Sequence, residues 1–398
     1  MNIWILNHHA VTPDMSGGTR HYDFAKELIK RGHKVTIIAS SFHYSKLKEM
    51  KKYEKQDYII EDIESIKFIW FKTPPYFNNG IKRVINMLSY TKKAIFLLPK
   101  LELSKPDIII GSSVHLFAVY AAFRLSKRYE TPFIMEVRDL WPQTLIDMGM
   151  SKHHPFILIL ALLERYLYKR ADKIITLLPD AYQYIEKFVS REKIEWISNG
   201  VNIDNVQYIK TTGNNKKFTI LYAGAIGEAN NLIDLVLVAQ MLKNEDKIVF
   251  KIVGNGPQKS YLLNEIKKLK ITNISIEEPV SKHEISKLLA SADVLFFNLK
   301  DSPVFRYGIS SNKLFDYMAA GRPIIFASNS SNNPVKEAKG GLTVFPGSIV
   351  ELKNAIMKLF NLELSEKINL GSNNRLYVEQ NYAISLLAKK FENIIKEL

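Results

Sequence analysis

The feature that most constrains the fold of this chain is a repeated alternation of short apolar runs with amphipathic stretches. Each run has the length of a buried strand, and the stretches between runs carry apolar residues at helical spacing, as in residues 19–31 before Gly32. This alternation predicts parallel sheets wound by helices. The predicted strands are residues 3–6, 35–39, 66–70, 108–111, 133–137, 173–177, 219–223, 249–253, 274–276, 294–297, 323–326 and 342–345.

The alternation stops once and then restarts, which predicts two domains. Residues 204–218 are polar and without apolar periodicity, so they are interpreted as an interdomain connection. We therefore expect an α/β fold of two Rossmann-like, doubly wound parallel sheets. The N-terminal domain is predicted at residues 1–200, joined by a C-terminal helix at about 383–398, and the C-terminal domain at residues 201–382.

The composition excludes several classes of protein. The longest apolar run, residues 156–163, meets Glu164 and Arg165 well before the roughly 20 residues that span a bilayer. The start has no basic leader followed by a cleavage site, so we expect a cytoplasmic protein. The absence of cysteine excludes disulfides, zinc-thiolate sites and thiol catalysis.

A formal net charge of +15 indicates an anionic partner, which could be nucleic acid, an anionic membrane or a phosphorylated substrate. Residues 81–128 carry nine Lys and Arg side chains against two acids, with apolar residues between them. Such a segment either lies on an anionic bilayer or faces a core with a wet basic side, and both readings stay open. We expect no nucleic acid, because no recognition motif accompanies the charge.

Two glycine turns follow predicted strands, one in each half of the chain. Gly17 and Gly18 precede a helix that begins near Thr19, and Gly254 and Gly256 follow the strand that ends at residue 253. Amides at a helix N-terminus favour anions, although each turn alone could be a plain turn. Neither has the full dinucleotide fingerprint, which disfavours a dinucleotide reductase. Together they favour a ligand at the carboxyl ends of both sheets.

Residues 305–323 form the segment that most clearly suggests chemistry. Ser310 or Ser311 is placed to cap a helix that carries Lys313 in its first turn, with Asp316 on the same side three residues later. The ammonium suits a phosphate and the carboxylate suits a ribose diol. This segment predicts part of a nucleotide site.

No metal site is expected. The adjacent pair His8 and His9 would rarely converge on one ion, because successive side chains point in different directions. The acidic cluster at residues 61–64 is interpreted as a solvated loop, and no Asp-x-Asp pair occurs.

Four segments together resemble family 4 retaining glycosyltransferases of the two-domain GT-B fold. They are residues 316–323 (DYMAAGRP), 197–201 (ISNGV), 220–224 (ILYAG) and 253–257 (VGNGP), and their order and spacing match over essentially the whole chain. Residues 13–39 and 136–142 resemble the subgroup that includes N-acetyl-L-fucosamine transferases of O-antigen and capsule biosynthesis. The resemblance implies two sheets facing across a cleft that binds a UDP-sugar, with no cofactor beyond this donor and no metal.

The resemblance also implies roles for single residues. His115 matches a histidine that hydrogen-bonds a donor-sugar hydroxyl, with a helix-capping or core histidine as the alternative. The predicted catalytic residues are His115, Lys313 and Arg138. The predicted donor-binding residues are Gly17, Gly18, Thr19, Asn199, Gly224, Gly254, Gly256, Pro279, Val280, Gly308, Ser310, Ser311, Leu314 and Asp316. The predicted acceptor-side residues are His8, His9 and Arg20.

The chain departs from the family pattern at three positions. Ala225 and Asn230 stand where many relatives carry an Arg and a Lys that neutralise the diphosphate, so Lys313 is expected to supply that charge, with Arg138, Arg20 and Arg306 as further candidates. Gly308 stands where relatives carry the first of two paired acids. Amides of residues 307–310 could replace the contact of that acid, which would fit a deoxy-amino sugar.

The predicted function is transfer of a sugar, with retention of configuration, from a UDP-sugar to a lipid-diphosphate-linked saccharide. The expected place is the anionic inner face of the plasma membrane, in cell-surface polysaccharide biosynthesis. Two alternatives stay open. One is a nucleotide-sugar epimerase on the same scaffold, and the other is a nonenzymatic nucleic-acid binder suggested by the charge.

Overall fold

The structure is a computed structural model that describes residues 1–15, 17–78, 80–206, 208–209, 216–281 and 284–398. Part of the predicted interdomain connection, residues 207 and 210–215, lies outside the described residues. Among the described residues, no helix is both long and apolar enough to cross a bilayer.

Strands and helices alternate along both halves of the described chain. The strands are β1 Asn2–Leu6, β2 Lys34–Ser40, β3 Phe42–His43, β4 Lys48–Glu49, β5 Tyr58–Ile63, β6 Ile66–Phe71, β7 Ile108–Ser112, β8 Phe133–Val137, β9 Lys173–Thr176, β10 Ile194–Trp196, β11 Phe218–Ala223, β12 Ile248–Val253, β13 Ile274–Glu277, β14 Val294–Asn298, β15 Ile324–Ala327 and β16 Gly341–Val344. The α-helices are α1 Arg20–Lys30, α2 Ile81–Phe96, α3 Leu116–Tyr129, α4 Gln143–Asp147, α5 Pro155–Arg170, α6 Tyr182–Ile185, α7 Ile233–Met241, α8 Lys259–Lys268, α9 Ile285–Ala290, α10 Asn312–Ala319, α11 Pro334–Glu337, α12 Ile349–Asn361, α13 Leu364–Asn381 and α14 Ile384–Lys396.

The chain divides into two compact units. The N-terminal unit comprises Met1–Asn199, Tyr307–Ser310 and Ile384–Leu398. The C-terminal unit comprises Gly200–Arg306 and Ser311–Ala383. The segment Tyr307–Ser310 thus packs with the N-terminal unit, although the residues on both sides of it belong to the other unit.

The N-terminal unit is built on one sheet with the strand order β10-β9-β8-β7-β1-β2-β6-β5. Successive side chains of a strand point to opposite faces, so Ile3 and Ile5 pack on one face while Trp4 and Leu6 pack on the other. Helices α2, α3 and α5 cover the face of Trp4, and α1 and α14 cover the face of Ile3. Because both faces are buried, its central strands are mainly apolar, and Glu136 in β8 is a buried exception.

The C-terminal unit contains a second, fully parallel sheet with the strand order β13-β12-β11-β14-β15-β16. Its first strand, β11, lies between β12 and β14, so the chain winds outward in both directions from the centre. The predicted fold class, two parallel-sheet α/β domains, is confirmed.

The predicted solvated loop at residues 61–64 is wrong. Glu61, Asp62 and Ile63 lie in β5, which pairs antiparallel with β6 at the edge of the first sheet. The carboxylate of Glu61 accepts hydrogen bonds from the Trp70 indole at 2.9 Å and from the Lys51 ammonium at 2.6 Å. An edge strand is exposed to water along its unpaired side, so it can carry charged residues. In the sequence, these charged residues had the composition of a solvated loop.

Helix α10 is fastened to the end of β11 by a buried tyrosine. The hydroxyl of Tyr317 donates to the carbonyl of Ala223 at 2.9 Å and accepts from the amide of Ala223 at 2.7 Å. Tyr317 is fully buried. This pair of bonds fixes where the first turn of α10 lies relative to the central strand.

We predict that Tyr317→Phe lowers the free energy of unfolding by about 1–3 kcal/mol, because both backbone groups of Ala223 would lose a buried partner. Chemical denaturation measures the difference. Tyr261→Phe, at a half-exposed tyrosine on α8, is the control and should change nothing. Equal stability of both variants would show that the bonds to Ala223 do not hold α10.

Candidate functional site

The carboxyl edge of the N-terminal sheet collects four of the predicted site residues. His8 and His9 follow β1, His115 follows β7 and Arg138 follows β8. These three strands are neighbours, and the carboxyl ends of parallel strands meet at one edge of a sheet, where open α/β folds bind ligands. The sequence therefore placed these side chains on the edge where chemistry is expected.

His8 and His115 form a buried pair. The Nδ1 atom of His115 accepts a hydrogen bond from the amide of Ala118 at 3.1 Å, so the neutral ring carries its proton on Nε2. This Nε2–H group donates a hydrogen bond to Nδ1 of His8 at 2.6 Å. The ring of His8 also stacks on Tyr90, with centroids 4.4 Å apart. Burial lowers the pKa of both histidines well below the usual value, so both are neutral at physiological pH.

His115 caps helix α3, as the alternative reading of this residue expected. Its side chain is fully buried, and each ring nitrogen has a partner within the N-terminal unit. A sugar hydroxyl would therefore have to displace His8 to reach Nε2. The contact of His115 with the donor stays a prediction.

His9 differs from its two neighbours. Its ring lies between those of His8 and Tyr44, at 4.4 and 5.2 Å. Burial, with the charges of Arg83 and Arg138, lowers the pKa of His9 to about 3. Neither ring nitrogen has a hydrogen-bond partner in the described part of the chain. A neutral imidazole offers one donor and one acceptor, which is the pattern that a sugar hydroxyl matches.

Arg20, predicted on the acceptor side, lies in a buried network centred on Glu136. The Glu136 carboxylate accepts from Arg20 at 2.8 Å, from His21 at 2.7 Å and from the Ser112 hydroxyl at 2.7 Å. Burial alone would raise the pKa of Glu136, but His21 and Arg20 hold it well below its usual value. The Arg20 guanidinium also donates to the carbonyls of Ile197 and Ser198. Sequence reasoning missed the role of Glu136, although an acid inside a buried strand was a usable signal.

The glycine turn before α1 has the predicted position. Gly17 is exposed, Gly18 is half-buried and Thr19 is the residue before the first turn of the helix. The Thr19 hydroxyl donates to the carboxylate of Asp23 at 2.6 Å. The helix start is formed, and its contact with phosphate stays a prediction.

Two hydrogen bonds join Asn199 to Ser310. The Asn199 amide donates to the Ser310 hydroxyl at 2.7 Å, and the Asn199 side chain donates to the Ser310 carbonyl at 2.7 Å. The predicted helix caps are not formed, because Ser311 precedes α10 without a side-chain bond and Ser310 is engaged by Asn199. Gly308 has a φ of +93°, a conformation that side chains rarely adopt, which disfavours an acid at this position.

In the C-terminal unit, Lys313 lies over the end of β11. Its ammonium donates to the hydroxyl of Tyr222 at 2.9 Å and to the side-chain carbonyl of Asn230 at 2.8 Å. It also sits 4.2 Å from the ring centroid of Tyr222 and 5.2 Å from that of Phe297. Burial lowers the pKa of Lys313 to about 7. Tyr222 was not foreseen, because its strand position gave no functional signal.

The glycine turn after β12 packs directly on the loop after β11. A Cβ atom at Gly254 would lie 1.9 Å from the carbonyl oxygen of Gly224, and one at Gly256 would lie 2.4 Å from that of Ile226. The Ile226 amide also donates to the Asn255 carbonyl at 2.9 Å. Close backbone approach thus explains the glycines at 254 and 256. Gly224 borders Lys313 too, since a Cβ there would lie 2.9 Å from the lysine Cδ.

The remaining predicted donor residues differ in exposure. Asp316 is half-buried on α10, one turn beyond Lys313. Leu314 is fully buried, so its backbone is the part that could face a ligand. Pro279 and Val280 follow β13 and are exposed. Arg306, a further candidate for the missing charge, is exposed as well.

Among the described residues, no group of three or more His, Asp or Glu side chains is arranged to hold a metal ion. Metal independence stays a prediction.

Two family matches together cover most of the chain. Residues 16–205 match Glycosyltransferase Family 4, and residues 207–377 match Glycosyl transferases group 1. The order of the two matches follows the order of the two units.

Two relatives come from Escherichia coli. WcaI of strain K12, named as a colanic acid biosynthesis glycosyl transferase, is 24% identical over 71% of this chain and 73% of its own length. The O-antigen biosynthesis glycosyltransferase WclY is 24% identical over 75% of this chain and 81% of its own length.

Solved structures share the fold over the whole chain. Sucrose-phosphate synthase from Thermosynechococcus elongatus is 15% identical with a TM-score of 0.76, covering 100% of this chain and 98% of that one. Anabaena HepE in complex with UDP-glucose is 14% identical with a TM-score of 0.68, covering 100% of both chains. The chain therefore belongs to the glycosyltransferases, with a Glycosyltransferase Family 4 domain followed by a Glycosyl transferases group 1 domain.

Proposed function

We propose that the protein transfers a sugar from a UDP-sugar to a lipid-diphosphate-linked saccharide during cell-surface polysaccharide biosynthesis. The observation that carries the proposal is the position of Lys313, a half-buried residue whose ammonium contacts the side chain of Asn230 beside Gly224. This edge of the sheet is where the resemblance puts the donor diphosphate.

Lys313 compensates for the two missing cations in this proposal. Relatives would carry their charges at the positions of Ala225 and Asn230, and here the Lys313 ammonium reaches Asn230 at 2.8 Å. A lysine on α10 can thus deliver its charge to the loop that lacks one. The Tyr222 hydroxyl at 2.9 Å and the lysine stem against Gly224 orient the ammonium.

The low pKa of Lys313 suits an anionic ligand. Its ring contacts with Tyr222 and Phe297 replace water, and burial lowers its pKa to about 7. An approaching diphosphate would restore the full charge, because a nearby anion favours the ammonium form. The contact would then strengthen as the sugar leaves and negative charge grows on the phosphate.

The transfer would retain the anomeric configuration. The bond from the anomeric carbon to the diphosphate oxygen breaks, the acceptor hydroxyl bonds to the same face, and its proton passes to the leaving phosphate. Such a step needs neither a protein nucleophile nor a metal. Asp316 would hold the ribose, and the amides of Gly17 and Gly18 would approach the phosphates.

The acceptor would be bound by the N-terminal unit. His9 has two ring nitrogens that lack partners in the described structure but are shielded from solvent there, so the side chains around them would have to move before an acceptor hydroxyl could bind. Arg20 would act indirectly, since its guanidinium is engaged by Glu136 and two carbonyls.

The comparisons support the donor and the pathway. HepE binds UDP-glucose in a structure with the same fold, and two relatives are named for colanic acid and O-antigen biosynthesis. N-acetyl-L-fucosamine or another amino or deoxy sugar is the proposed donor sugar, because Gly308 removes an acid and leaves backbone amides there. The lipid-linked acceptor and a peripheral position on the anionic inner membrane face complete the proposal.

We predict that the purified protein, offered a panel of nucleotide sugars and lipid-diphosphate saccharides, releases UDP only when a matching acceptor is present. NMR of the product should show the anomeric configuration of the donor, and activity should survive EDTA. Conversion of the donor sugar without acceptor would instead indicate an epimerase. An inverted product would refute the retaining step while leaving the transferase intact.

We predict that Lys313→Ala lowers turnover at saturating donor by about a hundredfold, the order expected for one preorganised charge contact. Lys268→Ala, at an exposed lysine on α8, is the control and should retain wild-type turnover. Unchanged turnover of Lys313→Ala would remove this lysine from the mechanism.

The pH dependence gives a second test of Lys313. The ammonium is lost as pH rises through about 7 in the free enzyme, so kcat/KM for the donor should fall above that pH. Lys313→Arg keeps its charge throughout this range and should flatten the profile. A wild-type profile without a step near pH 7 would contradict the assigned role.

A further inference from the structure

The amino edge of the C-terminal sheet carries a cavity that the proposed reaction does not use. Phe218 begins β11, while Lys247 and Asp293 come directly before β12 and β14, the two neighbours of β11. The amino ends of parallel strands meet at one edge of a sheet, so these three residues lie close together. With residues of α12 and α13 they line a cavity of about 230 Å³, which we call the amino-edge cavity.

The amino-edge cavity is lined by four lysines and one acid. The lysines are Lys216, Lys217, Lys247 and Lys367, and the acid is Asp293. Within the part of the chain that the structure describes, Lys216, Lys217 and Lys247 have no carboxylate partner. Ammonium groups gathered around one cavity repel one another. The cavity therefore offers an excess of positive charge to an anion.

The carboxylates near the cavity are engaged by the backbone. Asp293 accepts a hydrogen bond from the amide of Thr219 at 2.8 Å. Glu363 and Glu366 form the capping box at the start of α13, where each accepts a hydrogen bond from a backbone amide. These acids hold the ends of a strand and a helix, and the lysines stay in excess.

Two aromatic rings form an apolar wall beside the lysines. Phe218 and Phe360 contact edge to face, with ring centroids 5.3 Å apart. The Lys367 ammonium lies 5.0 Å from the Phe218 centroid and donates to the carbonyl of Phe360 at 2.9 Å. Burial lowers the pKa of Lys367, and an anion in the cavity would oppose this effect. An apolar wall also strengthens charge interactions, because it excludes water.

The amino-edge cavity is separate from the proposed donor site. Strand β11 runs from Phe218 at this cavity to Ala223, and Gly224 beside Lys313 follows it. At roughly 3.3 Å per residue, the strand holds the two places about 20 Å apart. One diphosphate group cannot reach both, so a ligand in the cavity would be a second ligand.

We propose that the amino-edge cavity binds a diphosphate group, either as inorganic pyrophosphate or as part of a nucleotide. Lysine ammonium groups bind phosphates as point charges. Four of them can surround two linked phosphates, whereas a single phosphate would leave part of the charge unmatched. Lys216, Lys217 and Lys247 are exposed, so the cavity can be reached from solvent. The inference goes beyond sugar transfer, because the cavity contains none of the residues assigned to the donor or the acceptor.

The test is calorimetric titration of the full chain with inorganic pyrophosphate at low salt, in the wild type and in Lys313→Ala. The variant removes binding at the proposed donor site. We expect pyrophosphate to bind Lys313→Ala at one site per chain. Inorganic phosphate should bind this variant about tenfold more weakly, because it makes fewer charge-assisted contacts. Where pyrophosphate binds, titration with UDP identifies the source: binding of UDP assigns the site to nucleotides as well, and no binding assigns it to free pyrophosphate.

Two matched double variants locate the binding. The cavity variant is Lys217→Ser with Lys247→Ser, and the control is Lys267→Ser with Lys268→Ser, at exposed lysines of α8. Both change the net charge by the same amount. Combined with Lys313→Ala, the cavity variant should bind pyrophosphate about tenfold more weakly or worse, because charge-assisted contacts are lost, and the control should bind it unchanged. Thermal unfolding without ligand checks that each variant is folded.

Three results would overturn the proposal. The first is no binding of pyrophosphate to Lys313→Ala. The second is an equal loss in the cavity variant and the control, which would show a response to net charge alone. The third is equal affinity for phosphate and pyrophosphate. Sugar transfer without added pyrophosphate should be the same in the wild type and the cavity variant, so failure of this site is distinguished from failure of the proposed transferase activity.

Discussion

The buried carboxylate of Glu136 is the interaction on which the carboxyl edge of the N-terminal sheet depends. It accepts from Arg20 and His21 of α1 and from Ser112 of β7, and Arg20 continues to the carbonyls after β10. Removing one partner of such a buried pair typically costs about 3–5 kcal/mol, because the other charge is left uncompensated. The start of α1 and the loop that carries Asn199 therefore take their positions from one carboxylate.

The two units treat positive charge in opposite ways. In the N-terminal unit, the carboxylate of Glu136 neutralises the charge of Arg20. Burial keeps His8, His9 and His115 neutral. In the C-terminal unit, the hydrogen-bond partners described for the Lys313 ammonium are both neutral, a hydroxyl and an amide carbonyl. Burial lowers the pKa of this lysine. An ammonium held without a carboxylate is suited to an incoming anion. This contrast is why we propose that the donor phosphates bind at the end of β11.

Much of the fold could be predicted from the sequence, because buried parallel strands are continuous apolar runs. Strand β8 was predicted with its observed bounds, and most other strands within a residue or two. Strand β5 was missed because an edge strand with a wet side alternates in charged residues. At the site, the sequence indicated Lys313 but not Tyr222, since a tyrosine inside a strand looks like core. Spacing alone could not show that both nitrogens of His115 are engaged, because its partner His8 is more than a hundred residues away.

The close packing of the loops after β11 and β12 has a consequence for engineering. Their backbones touch at Gly224 with Gly254 and at Ile226 with Gly256, so neither loop can change its path alone. Transplanting one of them from another transferase would bring mismatched main chains into collision. Under the proposed function, in which this half of the chain binds the donor, donor preference should therefore be exchangeable only when the two loops are moved together.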